Sequence, residues 1–315
     1  MSQVKQKAKA GSDDNKAKAK VVEAVLSETK IEETTGIVLL ALGHPMYTHY
    51  AYNLAVSLKF HNYNIPICIV TKGGGWDYLF PDQQALFDQR IEAKDEWIYG
   101  VHGMDYFKAK LHLDEITPFT NTLYLDVDMI WNNNKTVQDM LYEIGGYEFA
   151  ICNRGRITTP QKLVSEWIEM KQLKEVYDID SIYDVSSEVI YFKQGTKVFD
   201  QARKVYDENK LTVRDFGGGK PDEVYLSVAI EQLQVKLHAS PWMPTYWQPY
   251  YFTKWNKEEY ILNHYATSIG GAFIQNNTQK IYNRLCRHYF NRMGIPHTPY
   301  QQQAKSRILK ERRHI

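Results

Sequence analysis

Asp126 and Asp128 stand two residues apart, directly after the apolar run Thr122-Leu123-Tyr124-Leu125 and before Met129-Ile130-Trp131. In an extended strand, residues two apart project to the same face. The spacing therefore predicts two carboxylates side by side, with Val127 packed the other way. Paired carboxylates suit a divalent cation, and the cation suits a diphosphate. A lone D-x-D is common and is usually a pair of solvated turn carboxylates. Here the apolar strand before it matters, because open α/β sheets bind ligands at the carboxyl ends of their strands. The combination points to an enzyme that uses nucleotide-sugar donors.

The elements that must position this pair follow from periodicity. Residues 37–42 are a continuous apolar run, as expected of a strand buried on both faces. Gly43-His44-Pro45 ends it, and residues 47–60 then show helical spacing through Ala51, Leu54, Ala55 and Leu58. A second strand spans 65–70 and closes at Gly73-Gly74-Gly75. A strand–helix–strand opening predicts a parallel sheet with right-handed crossovers. Further helices are expected at 81–87, 106–115, 136–144, 160–174, 196–209, 221–232 and 278–293. Further strands are expected up to Asp126 and at 147–152, 189–192, 235–237 and 260–264. This order predicts an α/β fold with a mixed, mainly parallel central sheet.

Composition narrows the class. The chain has 315 residues, 43% hydrophobic and 24% charged, which is enough for a large buried core. Its formal net charge of +1 gives no global field for nucleic acid. The positive charge is local: residues 1–30 read as a flexible Lys-rich tail, and the C-terminal end carries Lys305, Arg307, Lys310, Arg312 and Arg313. No apolar stretch approaches the roughly 20 residues of a membrane span. The first thirty residues lack an apolar signal core. Cys68, Cys152 and Cys286 are scattered, with no zinc-like spacing. These features predict a cytoplasmic protein with no membrane partner, and Cys68 and Cys152 as small core residues.

Several further segments carry candidate chemistry. Lys110-Leu111-His112 falls on a predicted helix, and Ser186-Ser187-Glu188-Val189, Asp222-Glu223 and Asn263-His264-Tyr265 follow later. Residues 241–252 are strongly aromatic and broken by prolines, so they cannot form a regular helix. Flat rings stack on sugars or bases, which makes Trp242, Trp247 and Tyr250 candidates for an acceptor groove. The same segment also reads as a loop packing over the sheet. Gly217-Gly218-Gly219, before Asp222, reads either as a lid or as a plain flexible loop.

In this order, the motifs resemble metal-dependent GT-A glycosyltransferases, nearest the glycogenin and galactinol-synthase type. The likeness runs from about residue 37 to about 264. It implies a Rossmann-like nucleotide-diphospho-sugar transferase fold over 31–275, followed by a C-terminal helical extension with a basic tail at 276–315. It implies that Asp126, Asp128 and His264 ligate Mn²⁺ or Mg²⁺, and an imidazole ligand favours manganese. It implies that Ala41, Leu42, Gly43, Tyr47, Thr71, Lys110, Asp126 and Val127 meet the donor nucleotide. Lys110, Asp222 and Glu223 would act near the reacting sugar. In the family the late histidine is followed by a short stretch with Gly and then Lys-Pro-Trp, whereas here His264 leads into Tyr265-Ala266-Thr267-Ser268-Ile269-Gly270-Gly271-Ala272-Phe273, with no matching lysine. In this reading another cation, such as Lys254 or Lys257, substitutes, or leaving-group stabilisation rests more heavily on the metal.

The implied activity is transfer of a hexosyl or pentosyl group from a nucleoside-diphosphate donor, UDP first, to an acceptor hydroxyl. The acceptor stays open among glycan, protein and modified DNA base, and the basic ends keep the last in view. A nucleotidyltransferase of related fold is the second reading. It would need a basic Gly-rich loop after the first strand, and residues 43–46 hold no lysine or arginine. A catalytically inactive binding domain is the third.

Overall fold

A computed structural model describes residues 34–61, 64–100, 103–131, 136–216, 219–238, 245–246, 266–268, 276–298 and 303. Its first strand, β1 (Thr35–Ala41), is apolar at every position from Ile37, and each of those side chains is buried. Parallel strands covered on both faces read this way. β1 pairs in parallel with β2 (Ile67–Thr71) on one side and β4 (Asn121–Leu125) on the other. β3 (Gln89–Glu92) extends the parallel set beyond β2. β7 (Ile182–Lys193) runs antiparallel to both β4 and β6 (Phe149–Ile157). The sheet order is therefore β3-β2-β1-β4-β7-β6, mixed and mainly parallel.

Alternation along the strands splits the core in two. Ile37, Leu39, Leu123 and Leu125 face α1 (Pro45–His61), α2 (Val137–Ile144) and α6 (Asn276–Arg292). Val38, Leu40, Tyr124 and Phe192 face α4 (Val198–Glu208) and α5 (Asp222–Gln232). α1 is buried at every position from Thr48 to Leu58. A helix buried all round must be covered on more than one side. The sheet covers one side, and α6 covers another through Tyr282 and Phe290, edge-on to Tyr50 and Tyr52 at 5.2 and 5.4 Å. Asn53 adds a hydrogen bond, donating from Nδ2 to the Tyr282 hydroxyl at 3.0 Å.

A small second sheet joins β5 (Met129–Trp131) to β9 (Ala266–Ser268) antiparallel, with β8 (Thr245–Tyr246) parallel to β9. Cys68, Cys152 and Cys286 are all buried and free. Among the described residues, no helix is long and apolar enough to cross a membrane.

The structure departs from the periodic reading at four places. Residues 160–174 do not form one helix. Leu163–Val164 pairs antiparallel with Ile168–Glu169, and helix α3 (Met170–Tyr177) starts only afterwards. The cause is tertiary: the Asp184 carboxylate accepts the Ser165 N–H at 2.7 Å, and Ser165 Oγ donates to the Val185 carbonyl at 3.0 Å. Residues 235–237 are irregular, because Gln234 turns left-handed (φ 52°) and Val235 N–H returns to the Ile230 carbonyl at 3.0 Å to close α5. Residues 106–115 divide into a 3₁₀ segment, Phe107–His112, and one α turn, Leu113–Ile116. β7 is far longer than the predicted 189–192, since its polar centre hides it from an apolar scan. The predicted strand at 260–264 lies outside the described residues.

Candidate active site

β4 delivers the acidic pair, though not as a pleated strand would. The strand stops at Leu125, and residues 126–129 turn, with Met129 N–H donating to the Asp126 carbonyl at 3.3 Å. The premise of two carboxylates aligned by strand alternation is therefore corrected. Asp126 N–H is held by the Glu188 carbonyl of β7 at 2.9 Å. Val127 is buried between the two acids. Both carboxylates nevertheless bear on Tyr47. Burial raises the pKa of its hydroxyl, and the charges of Asp128 and Asp126 raise it further.

Lys110 is buried at the centre of the site. Its Nζ lies 2.9 Å from Asp126 Oδ1 and 3.2 Å from Oδ2, and it donates to Ser187 Oγ at 3.0 Å. Asp222 Oδ1 is 3.8 Å away on the other side. The ammonium also stands 5.5 Å from the centroid of the Tyr124 ring, whose hydroxyl donates to Asp126 Oδ1. Burial works against the lysine charge, but Asp126 and then Asp222 outweigh it and hold its pKa well above the ordinary value. Lys110 is thus a fixed cation clamped between two acids, unlike a solvated lysine that swings freely.

Asp222 opens α5 directly after Pro221. It is 1% exposed and lies between the Lys110 ammonium and the Ser187 hydroxyl, both of which favour its charged form. Burial raises its pKa, and Lys110 opposes that rise. Glu223 beside it is raised as well, by burial first and by the Asp222 charge second. Two adjacent acids with raised pKa values, beside a buried cation, form the kind of cluster that marks reactive sites.

The expected nucleotide face lies at the ends of β1 and β2. Ala41 pairs with Thr71 in register, and both are buried. Leu42 is buried, and Gly43 takes a left-handed φ of 83°; a β-carbon there would lie 3.1 Å from the Tyr106 ring. The Thr71 hydroxyl and the neighbouring Thr48 hydroxyl are buried without a hydrogen-bond partner. Gly75 closes over them: a β-carbon there would lie 3.3 Å from Thr48 Oγ1.

Three contributors have no role in the sequence reading, although two of them lie in the 186–189 segment it names. Ser187 and Glu188 lie where the β7–β6 register jumps between Ser186 and Ile190, a bulge that aims polar groups at Asp126. Ser186 Oγ donates to Glu188 Oε2 at 2.7 Å. Three consecutive polar residues inside an apolar strand were the available signal. Asp105 is the third. Its carboxylate accepts the N–H groups of Phe107 (3.0 Å) and Lys220 (3.1 Å) and the Tyr206 hydroxyl (2.9 Å). Nothing in its sequence neighbourhood announces this.

His264, Trp242, Trp247, Tyr250, Lys254 and Lys257 lie outside the described residues. Among the described residues, no three His, Cys, Asp or Glu side chains group as a metal site. Asp126 and Asp128 supply hard oxygen donors of the type magnesium and manganese accept.

No protein-family model matches the chain, and no curated protein matches it. Solved structures do. The galactosyltransferase LgtC in complex with donor and acceptor sugar analogues aligns over 86% of this chain and 99% of its own, at 13% identity and a TM-score of 0.55. An active-site variant of LgtC aligns over 84% and 98%, at 14% identity and a TM-score of 0.50. The bifunctional glycosyltransferase WbbM aligns over 78% of this chain and 47% of its own, at 10% identity and a TM-score of 0.50. Together with the mixed sheet, these alignments show that the chain has the α/β fold of GT-A glycosyltransferases.

Proposed function

We propose that this protein is a glycosyltransferase that moves a sugar from a nucleoside-diphosphate donor, UDP first, to an acceptor hydroxyl. The observation that carries the reading is the convergence of Lys110, Asp126 and Asp222 at the carboxyl end of a mainly parallel sheet. Breaking a sugar–diphosphate bond leaves negative charge on phosphate oxygen. A cation already fixed beside that oxygen stabilises the charge as it develops and needs no reorganisation. Lys110 has that character. The buried carboxylate of Asp222, beside Lys110, suits hydroxyls of the sugar being transferred, and Glu223 holds or releases a proton next to it. The buried hydroxyls of Thr48 and Thr71 suit polar edges of the nucleotide.

Asp126 and Asp128 would hold a divalent cation, manganese first, with His264 as the distant ligand. When bound, such an ion neutralises the diphosphate and acts as a Lewis acid. The Lys-Pro-Trp element of the glycogenin type has no counterpart here, so the sugar and the acceptor follow from this chain's own residues.

The test is a panel of nucleotide sugars incubated with the protein and Mn²⁺, without acceptor. Slow release of one nucleoside diphosphate identifies the donor and supports the reading. Release of pyrophosphate from nucleoside triphosphates would move the chain to nucleotidyl transfer. No turnover, and no Mn²⁺-dependent thermal shift with any nucleoside diphosphate, would leave an inactive binding domain.

A further inference from the structure

Three aromatic rings pack in a continuous run, tilted against one another by 53° and 52°. The Phe216 centroid lies 5.8 Å from that of Phe107 and 5.2 Å from that of Trp167. Phe216 is 52% exposed. Isolated exposed rings are ordinary, but this group is held in place by its surroundings.

Trp167 follows a tight turn in which both Ser165 and Glu166 are left-handed (φ 50° and 70°). Such backbone costs a non-glycine residue about 1 kcal/mol or more, and it persists only where neighbours enforce it. Asp184 and Val185 enforce it through Ser165. The turn closes by Trp167 N–H donating to the Val164 carbonyl at 3.0 Å, and the Trp167 carbonyl takes Arg214 N–H at 3.2 Å. Phe216 is fixed by reciprocal backbone bonds with Gly219, at 2.9 and 3.0 Å.

The run is tied to the segments that carry Lys110 and Asp222. Phe107 begins the 3₁₀ segment that carries Lys110. Residues three apart eclipse in that geometry, so the two lie on one face, a single turn apart. Gly219 packs against the Phe107 ring: a β-carbon there would lie 2.7 Å from Phe107 Cδ2. Asp222 is three residues further on.

Charge beside the rings selects the occupant. Glu166 adjoins Trp167, Asp215 adjoins the middle ring Phe216 and Lys108 adjoins Phe107, with Arg214 and Lys220 nearby in the chain. Lys220 is engaged, 2.9 Å from Asp215 Oδ1 and 2.9 Å from the Val213 carbonyl, and Lys108 Nζ donates to the Glu96 and Tyr99 carbonyls at 2.8 Å each. With both lysines engaged, Glu166 stands against Arg214, and a polyanion finds no cluster of cations to displace its counterions. A neutral sugar ring offers a flat C–H face to aromatic rings and hydroxyls to the flanking carboxylates, the mix expected of a small-molecule site. We infer that Phe107, Phe216 and Trp167 form an acceptor platform that takes a neutral pyranose ring. This rests on the sugar-transfer reading above.

The experiment is saturation-transfer NMR on the full chain. The probes are methyl β-lactoside, methyl β-cellobioside and methyl β-maltoside, with a single-stranded oligothymidylate as the contrasting arm. The expected result is transfer to the ring C–H protons of at least one glycoside. Ring removal in Phe216→Ala or Trp167→Ala should weaken its binding about fivefold or more, in line with ring-stacking energies of ~1–3 kcal/mol. Phe216→Tyr, which keeps a ring, should retain binding. Tyr142→Ala, at an exposed ring on α2, should change nothing. The inference is overturned if no glycoside binds, if ring removal leaves binding intact, if Phe216→Tyr binds as poorly as Phe216→Ala, or if only the oligothymidylate responds to these substitutions. Nucleotide-sugar hydrolysis by the wild type separates the two ideas. Hydrolysis without platform-dependent glycoside binding sinks the platform alone. Platform-dependent binding without hydrolysis sinks the transfer reading and leaves a sugar site.

Discussion

The Asp105 carboxylate accepts the backbone N–H of Lys220 at 3.1 Å, bridging 115 positions of chain. One oxygen thereby ties the segment that leads into Lys110 to the segment that leads into Asp222. The other caps Phe107 at 3.0 Å. Replacing Asp105 by alanine removes the acceptor of four donors at once, the N–H groups of Phe107, Lys108 and Lys220 and the Tyr206 hydroxyl. A loss of roughly 2–4 kcal/mol in urea unfolding is expected, since unmade buried hydrogen bonds cost the full desolvation of each group. Gly219→Ala should act in the same direction, about 1–3 kcal/mol, because its new methyl group meets Asp105 and Phe107. Unchanged stability in both variants would contradict this coupling.

Lys110 holds two acids in place, so its removal should hurt stability and activity together. Lys110→Met leaves Asp126 and Asp222 uncompensated, and a cost of roughly 3 kcal/mol at neutral pH is expected. A second substitution, Asp222→Asn, should return much of that stability without returning activity. Denaturation of the single and double variants checks the first half. Donor hydrolysis, expected to fall about 100-fold or more, checks the second.

Stability should depend on Glu223 in a particular direction. Its folded pKa is raised from the ordinary 4.5 to about 8 by burial and by Asp222. A carboxyl raised on folding contributes stability that is whole below its unfolded value and is lost as pH climbs through the folded one. Wild-type stability should therefore decline between about pH 5 and pH 8 in chelator, with ~1 kcal/mol or more traceable to this group. Glu223→Gln should flatten the decline. Melting curves across that range decide the matter, and a parallel decline in the variant would assign the effect elsewhere.

Asp128 can be tested apart from the fold, because it lies in the turn after β4 and is partly exposed. Asp128→Ala should change stability by less than ~1 kcal/mol. It should lower Mn²⁺-supported donor hydrolysis about 100-fold and abolish the thermal shift that Mn²⁺ gives with a nucleoside diphosphate. Retention of that shift would remove Asp128 from the proposed metal shell.

Where periodicity was strong, the fold could be read directly. Ile37 to Leu42 and the spacing of Ala51, Leu54 and Leu58 lead to β1 and α1 because both elements are set by burial. The 163–169 hairpin could not be read that way, since a carboxylate nineteen residues downstream imposes the Ser165 turn. The site divides similarly. Lys110, Asp126 and Asp222 are named by motif order, and the structure brings them within ion-pair reach. Ser187 is named only as part of a polar segment and Asp105 not at all, because each acts through a hydrogen bond that exists only once distant segments have met. Tyr124 acts locally, on Asp126 two residues on.

The two-sided burial of α1 bears on how far the chain can be shortened. A protein ending at residue 275 would lose α6 and bare Tyr50 and Tyr52, leaving the Asn53 amide without Tyr282. Such a fragment should accumulate as insoluble material even though every active-site side chain described above is still encoded in it.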